Sequence, residues 1–307
     1  MNKLRSKDLI SINLLTADEV NLIIDESNKI KQGPRNSQVL AGKTLAMIFE
    51  KSSTRTRVSF ETGIYQLGGN GMYFSSKDLQ IGRGETIHDT AKVLSRYVDG
   101  IMARTFAYQT ILDLAKYSTV PVINGLTDLD HPCQVLSDLF TIQEKLGHLK
   151  GLTLTYLGDG NNVLHSLLQG CVKVGMNIIY SCPKGYEPLS AVVNEAQQYA
   201  VSSGSSISYI PDPSESVKSA DIVYTDVWVS MGQENEKAKK LNDLKPYQLN
   251  TKLLNKSRQD VLVMHCLPAH RGEEITDEVM DGPNSIVFDQ AENRLHTQKA
   301  IMKLLMS

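Results

Sequence analysis

Ser53-Thr54-Arg55-Thr56-Arg57 places hydroxyls and arginines directly after an apolar run, Leu45 to Phe49, and before Phe60, Ile64 and Leu67 at i, i+4 and i+7. That order predicts a strand, a turn and an amphipathic helix ending at Gly68-Gly69. A helix N-terminus offers free N–H groups and the positive end of the helix dipole. Ser53, Thr54 and Arg55 there make a cradle for a doubly charged anion such as phosphate. Arg57 is two residues further along, nearly on the opposite face, and is the weaker ligand. The plainer alternative is an ordinary Ser/Thr cap followed by solvated arginines.

Other polar residues recur in the same kind of place. Arg104 ends an apolar strand, Gly100 to Ala103, and strand C-termini are where open parallel sheets put ligands. His131 precedes Pro132, which suits a first helical turn, so His131 and Gln134 can face one side there. Gly158-Asp159-Gly160-Asn161-Asn162 follows the strand Leu152 to Leu157 and resembles a dinucleotide loop. However, Val163 stands where a third glycine is needed, and the next strand ends in Cys182-Pro183 with no acidic residue for a ribose.

His265 and Cys266 follow a strand at Asp260 to Met264. Adjacent strand residues point to opposite faces, so His265 is poorly placed to deprotonate Cys266 as a nucleophile. A metal site from His265, Cys266 and His270 has no recognised zinc spacing. A last strand is expected at Ser285 to Phe288 and a helix from Ala291, with Arg294 near its start as a further anion ligand.

The elements that must carry these residues alternate. Strand, polar loop and helix recur along the chain, which predicts an α/β fold with parallel sheets flanked by helices. Thr16 is placed to cap a first helix over 14–32. The 76–85 loop is glycine-rich, charged and longer than a strand-to-helix connection requires. Glu234 to Lys240 reads as a charged, polar and mobile segment. At 307 residues the chain suits two domains.

A net charge of -2, from 32 Lys+Arg and 34 Asp+Glu, excludes the basic field of a nucleic-acid binder and favours a small-molecule partner. The four cysteines contain no Cys-x-x-Cys pair, which argues against a disulfide framework or zinc ribbon and fits a reducing cytoplasm. With no secretory leader and no apolar run of membrane-spanning length, the expectation is a soluble cytoplasmic protein with no membrane partner.

Taken together, Ser-Thr-Arg-Thr-Arg (53–57), His-Pro-Cys-Gln (131–134), Asp-Val-Trp-Val-Ser-Met-Gly (226–232) and His-Cys-Leu-Pro-Ala-His-Arg (265–271) resemble the aspartate/ornithine carbamoyltransferase family over nearly the whole chain. The last two motifs resemble its ornithine branch, since an aspartate-using member would show His-Pro-Leu-Pro-Arg and lack the Ser-Met-Gly loop. The resemblance implies two domains joined by long helices. Residues 1–145 would bind carbamoyl phosphate, with the 291–307 helix packing back onto them, and 146–290 would bind ornithine. It implies transfer of the carbamoyl group to the ornithine δ-amine, giving citrulline and phosphate, with neither metal nor organic cofactor. Relatives using putrescine or N-acetylornithine, and a non-catalytic carbamoyl phosphate binder, are the alternatives.

By the same resemblance, Ser53, Thr54, Arg55 and Thr56 hold the phosphate, Arg104 bridges phosphate and carbonyl, and His131 polarises the carbonyl oxygen. Gln134 orients the carbamoyl amide, and Leu267, through its backbone carbonyl, and Arg294 complete that site. Asn162, Asp226, Ser230 and Met231 bind the amino-acid end, with Cys266 beside the reacting amine. A homotrimer, or a multiple of trimers, is implied, with Gln80 reaching the carbamoyl phosphate site of the neighbouring chain.

Overall fold

The computed structural model describes residues 3–76, 79, 84–230, 232 and 234–307, and of Glu234 the backbone alone. The chain forms two compact units. Unit 1 comprises residues 1–140 and 292–307, and unit 2 comprises residues 141–291.

Unit 1 opens with α1 (Ala17–Gln32), where Thr16 and Glu19 form a reciprocal capping box. Then come β1 (Thr44–Phe49), α2 (Thr54–Gln66), β2 (Asn70–Ser75), α3 (Ile87–Leu94), β3 (Gly100–Arg104), α4 (Tyr108–Tyr117), β4 (Val122–Leu126) and α5 (Pro132–Leu146), which carries the chain into unit 2. The sheet is parallel, in the order β2-β1-β3-β4. The two inner strands and β4 are almost wholly buried, as an apolar strand covered on both faces must be, whereas the edge strand β2 is half-exposed. Ala46, Ile48, Ile101 and Ala103 pack with Ala91, Ile111 and Leu114 of the covering helices.

Unit 2 contains β5 (Thr153–Leu157), α6 (Asn162–Lys173), β6 (Asn177–Ser181), α7 (Ser190–Ser203), β7 (Ile207–Tyr209), α8 (Pro213–Ser216), β8 (Ile222–Thr225), α9 (Lys237–Leu244), α10 (Thr251–Leu254), β9 (Leu262–His265), α11 (Asp277–Met280) and the start of α12 (Val287–Met306), which returns to unit 1. Its parallel sheet has the order β7-β6-β5-β8-β9. The expected α/β class with two parallel sheets is what the chain adopts.

Both strand orders reverse once. In unit 1, β1 is followed in sequence by a neighbour on one side and then one on the other, so the connections leaving β1 and β3 diverge. In unit 2 the same happens between β5 and β8. Ligands of open α/β sheets bind outside the strand C-termini at such points, because the diverging loops leave a crevice there.

Two local expectations fail. No strand forms over 285–288. Ser285 makes one isolated bridge to Val263, and α12 begins at Val287, with Val287 buried and Phe288 exposed. A four-residue apolar run cannot be told from a helix start by periodicity. Glu234 to Lys240 is regular structure in place of a mobile polar segment, a 3-10 turn (Glu234–Glu236) leading into α9 with Lys240 buried. Among the described residues, no helix is long and apolar enough to cross a membrane.

Candidate active site

The unit 1 reversal point gathers most of the expected anion ligands. Ser53 caps α2. Its Oγ accepts the Thr56 N–H at 3.2 Å and its hydroxyl reaches Thr56 Oγ1 at 3.1 Å. Thr54 is exposed, Arg55 and Ser53 are half-buried, and Thr56 is fully buried. Arg57 leaves the cradle, its Nε donating to Glu61 at 3.2 Å and its guanidinium lying 3.8 Å from the centre of the Tyr73 ring.

Arg104, at the end of β3, pairs in register with Phe49 of β1 and is buried. Glu50 ties the two exits together. Its N–H donates to the Arg104 carbonyl and its Oε2 accepts the Phe106 N–H, both at 2.8 Å. Lys51, also buried, pairs with Asp128 beyond β4 and lies over the Phe106 ring. Glu50 and Lys51 therefore clamp the loops after β3 and β4 onto the cradle. Sequence reading gave them no role of their own, although they open the stretch that runs on to Arg57.

Arg294 donates from Nη1 to Gln134 Oε1 at 3.1 Å and from Nη2 to Thr56 Oγ1 at 3.0 Å, inside a buried setting. It lies about two turns into α12, so the expectation that it acts near a helix start is wrong, and it reaches the cradle by its side chain. Gln134 also donates from Nε2 to Asp138 at 2.8 Å, which fixes its amide orientation. His131 is buried, and burial, reinforced by the positive charges of Arg294 and Arg104, holds its pKa well below the usual imidazole value. Its imidazole is neutral, carrying one N–H donor and one acceptor nitrogen.

The unit 2 reversal point gathers the second group. Asp226, just past β8, accepts the Cys266 thiol at 2.8 Å and the Val227 N–H at 2.8 Å on Oδ1, and Asn161 Nδ2 at 2.6 Å on Oδ2. The expected ligand Asn162 is the first residue of α6. Asn161 caps that helix, accepting from the Val163 and Leu164 N–H groups, and also holds Asp226. An asparagine just before a helical run is the usual N-cap, a signal that could have singled it out. Ser230 is half-buried. Met231 and Gln80 lie outside the described residues.

His265 sits behind Cys266 rather than serving it. Its Nδ1 accepts the Leu267 N–H at 2.8 Å, so the proton is on Nε2, which faces Glu274 Oε1 at 3.0 Å in a fully buried pair. This pair holds Leu267 at φ 57°, a conformation costly for a branched residue and one that marks functional loops. Donor atoms of Asp226, His265 and Cys266 come within 4.8 Å of one another, but both His265 nitrogens are already engaged.

Comparison with known proteins accords with this geometry. Residues 7–144 match the family model described as "Aspartate/ornithine carbamoyltransferase, carbamoyl-P binding domain", and residues 150–305 match "Aspartate/ornithine carbamoyltransferase, Asp/Orn binding domain". The chain is 55% identical to the ornithine carbamoyltransferase of Oceanobacillus iheyensis, covering 99% of this chain and 96% of that one. It is 54% identical to the enzyme of that name from Bacillus subtilis, covering 99% and 95%. The solved structure of ornithine carbamoyltransferase from Pyrococcus furiosus superposes with a TM-score of 0.94 at 52% identity, covering 97% of this chain and 96% of that one. Similarity at this level, over both units, joins with the two polar clusters at the sheet reversal points to one conclusion: the chain belongs to the aspartate/ornithine carbamoyltransferase family.

Proposed function

We propose that this chain transfers the carbamoyl group from carbamoyl phosphate to the δ-amine of L-ornithine, giving L-citrulline and phosphate. The observation that carries this reading is the convergence in unit 1 of Arg104, Arg294 and a buried neutral His131 beside the capped start of α2. Unit 1 is the carbamoyl phosphate half and unit 2 the ornithine half.

In the reaction the amine lone pair attacks the carbonyl carbon and the carbonyl oxygen becomes an oxyanion; the oxyanion then re-forms the carbonyl as the C–O bond to phosphate breaks, and the departing phosphate takes the electron pair and the proton shed by the attacking nitrogen. Negative charge grows on two oxygens, and fixed donors that need not reorganise stabilise it. Ser53, Thr54, Arg55 and Thr56 take the phosphate, and Arg104 spans phosphate and carbonyl. His131 donates its N–H to the carbonyl oxygen, and being neutral it does not protonate the oxyanion outright. Gln134 Oε1, held by Arg294, has a second lone pair for the carbamoyl NH2.

An alkylamine with a pKa of about 10.4 is almost wholly protonated at neutral pH and must lose a proton to attack. Asp226 receives the α-ammonium, Asn162, Ser230 and Met231 receive the rest of the amino-acid end, and Cys266, hydrogen-bonded to Asp226, stands by the δ-nitrogen. The chain works in the cytoplasm, in arginine metabolism. It works as a homotrimer, a reading supported by the exposed apolar side chains of unit 1, among them Val58, Tyr65, Met72 and Tyr97. Citrulline formation, compared with carbamoylation of putrescine, N-acetylornithine and aspartate, tests the assignment. Higher turnover with any of these three, or carbamoyl phosphate binding without phosphate release, overturns it.

A further inference from the structure

Lys240 carries its charge into the interior of unit 2. Its Nζ meets Asp159 Oδ2 at 2.6 Å, and the two side chains are only 5% and 12% exposed. Asp159 belongs to the turn between β5 and α6 that carries Asn161 and Asn162, and Lys240 belongs to α9, the first α-helix after Asp226 to Ser230. One turn beyond Lys240, Asp243 accepts the Tyr186 hydroxyl at 2.9 Å, and the Tyr186 carbonyl accepts the Gly160 N–H at 2.8 Å.

The three segments thus form a closed ring: the turn after β5, the loop through Tyr186, and α9. The ring has an electrostatic side as well. Burial pushes the Asp159 carboxyl up, the Lys240 hydrogen bond and charge pull it down, and the nearby Asp226 carboxylate pushes it up again. Lys240 is therefore a counter-charge where two carboxylates crowd together.

We propose that Lys240 and Asp159 are a positioning pair for the amino-acid substrate: their ion pair fixes the far end of the segment that begins at Asp226 onto the turn that holds Asn161. Asp226 is held at the near end by Asn161 and Cys266, so the segment through Ser230 is anchored on both sides of the ligands it supplies. This rests on the reading that Asp226 and Ser230 bind ornithine. Lys240→Met leaves the Asp159 carboxylate buried without its ion-pair partner, and the turn relaxes to rehydrate it. Both side chains belong to unit 2.

The test is steady-state kinetics with both substrates varied. Lys240→Met is expected to raise KM for ornithine at least tenfold and leave KM for carbamoyl phosphate within twofold, with Lys240→Arg restoring ornithine KM to within threefold of the parent. Asp159→Asn, expected to shift ornithine KM in the same direction, is the reporter should Lys240→Met fail to fold. If the folded variants lose only kcat, or lose active protein with both KM values unchanged, the pair is merely structural and the proposal falls. Asp226→Asn separates the two readings. If it does not raise ornithine KM, the assignment of the site is what fails; if it does while the pair variants do not, the positioning role alone is overturned.

Discussion

His131 lies buried under the field of two arginines, and this has a measurable cost in acid. Below about pH 6.5 the unfolded chain takes up a proton on this imidazole while the folded chain does not, so stability falls as pH falls until the depressed folded value is reached. The slope contributed is at most about 1.4 kcal/mol per pH unit. Urea unfolding of the parent and of His131→Gln between pH 7.5 and 5.5 should give a shallower acid loss in the variant; parallel curves would show that His131 titrates normally.

Arg55 and Arg57, two residues apart, should respond differently. On the proposed function, Arg55→Ala removes a charge-assisted contact to the phosphate, and kcat/KM for carbamoyl phosphate is expected to fall at least a hundredfold, about 3 kcal/mol. Arg57 spends its guanidinium on Glu61 and Tyr73, half-exposed, so Arg57→Ala should cost stability of about 1 kcal/mol or less and leave carbamoyl phosphate binding intact. A well-folded Arg57 variant that binds carbamoyl phosphate as poorly as the Arg55 variant would refute the helix-face argument.

At the scale of elements, the turn after β5 is the most tightly specified. A Cβ on Gly160 would come 2.4 Å from the Pro188 nitrogen and 2.6 Å from the Tyr186 oxygen and the Glu187 carbonyl carbon, all backbone atoms that cannot swing aside. Gly160→Ala should destabilise by about 3 kcal/mol or more. A Tm within two or so degrees of the parent, where about 1 kcal/mol already moves Tm by several, would mean that the 186–188 backbone yields.

The elements were legible where one period was long. Phe60, Ile64 and Leu67 marked α2, and all three are buried. They were illegible where tertiary contact overrode local pattern. Lys240 looks solvated because its neighbours are charged, and the buried ion pair it makes with Asp159 joins residues 81 apart in the chain. Arg294 was read against a helix start four residues too late, since nothing local separates Val287-Phe288 in a strand from the same pair opening a helix. Asn161 and Asn162 were both visible, but which one would hold Asp226 depended on which became the cap.

For the whole molecule, assembly is the property furthest from local pattern. Resemblance places Gln80, outside the described residues, at the carbamoyl phosphate site of a neighbouring chain, which would make the trimer part of the catalyst. Chains with Gln80→Ala and with Arg294→Ala, each weakly active alone, should regain activity well above their sum when unfolded together and refolded as mixed trimers. Some mixed sites then combine a chain's own Arg294 with a neighbour's intact Gln80. Activity equal to the sum, with mixed trimers confirmed by mass, would sink the shared-site proposal.

The chain also enters unit 1 twice, and this sets an order of completion during synthesis. Arg294 is 160 residues from Gln134 and 238 from Thr56, the partners it joins. A nascent chain emerging from the ribosome displays the cradle and the His131 helix early, yet the guanidinium that ties them is translated only after all of unit 2. Domains folding in the order they are made would finish the first one first. Here the later unit is continuous, while the earlier one takes its last segment, Arg294 included, from residues translated after unit 2.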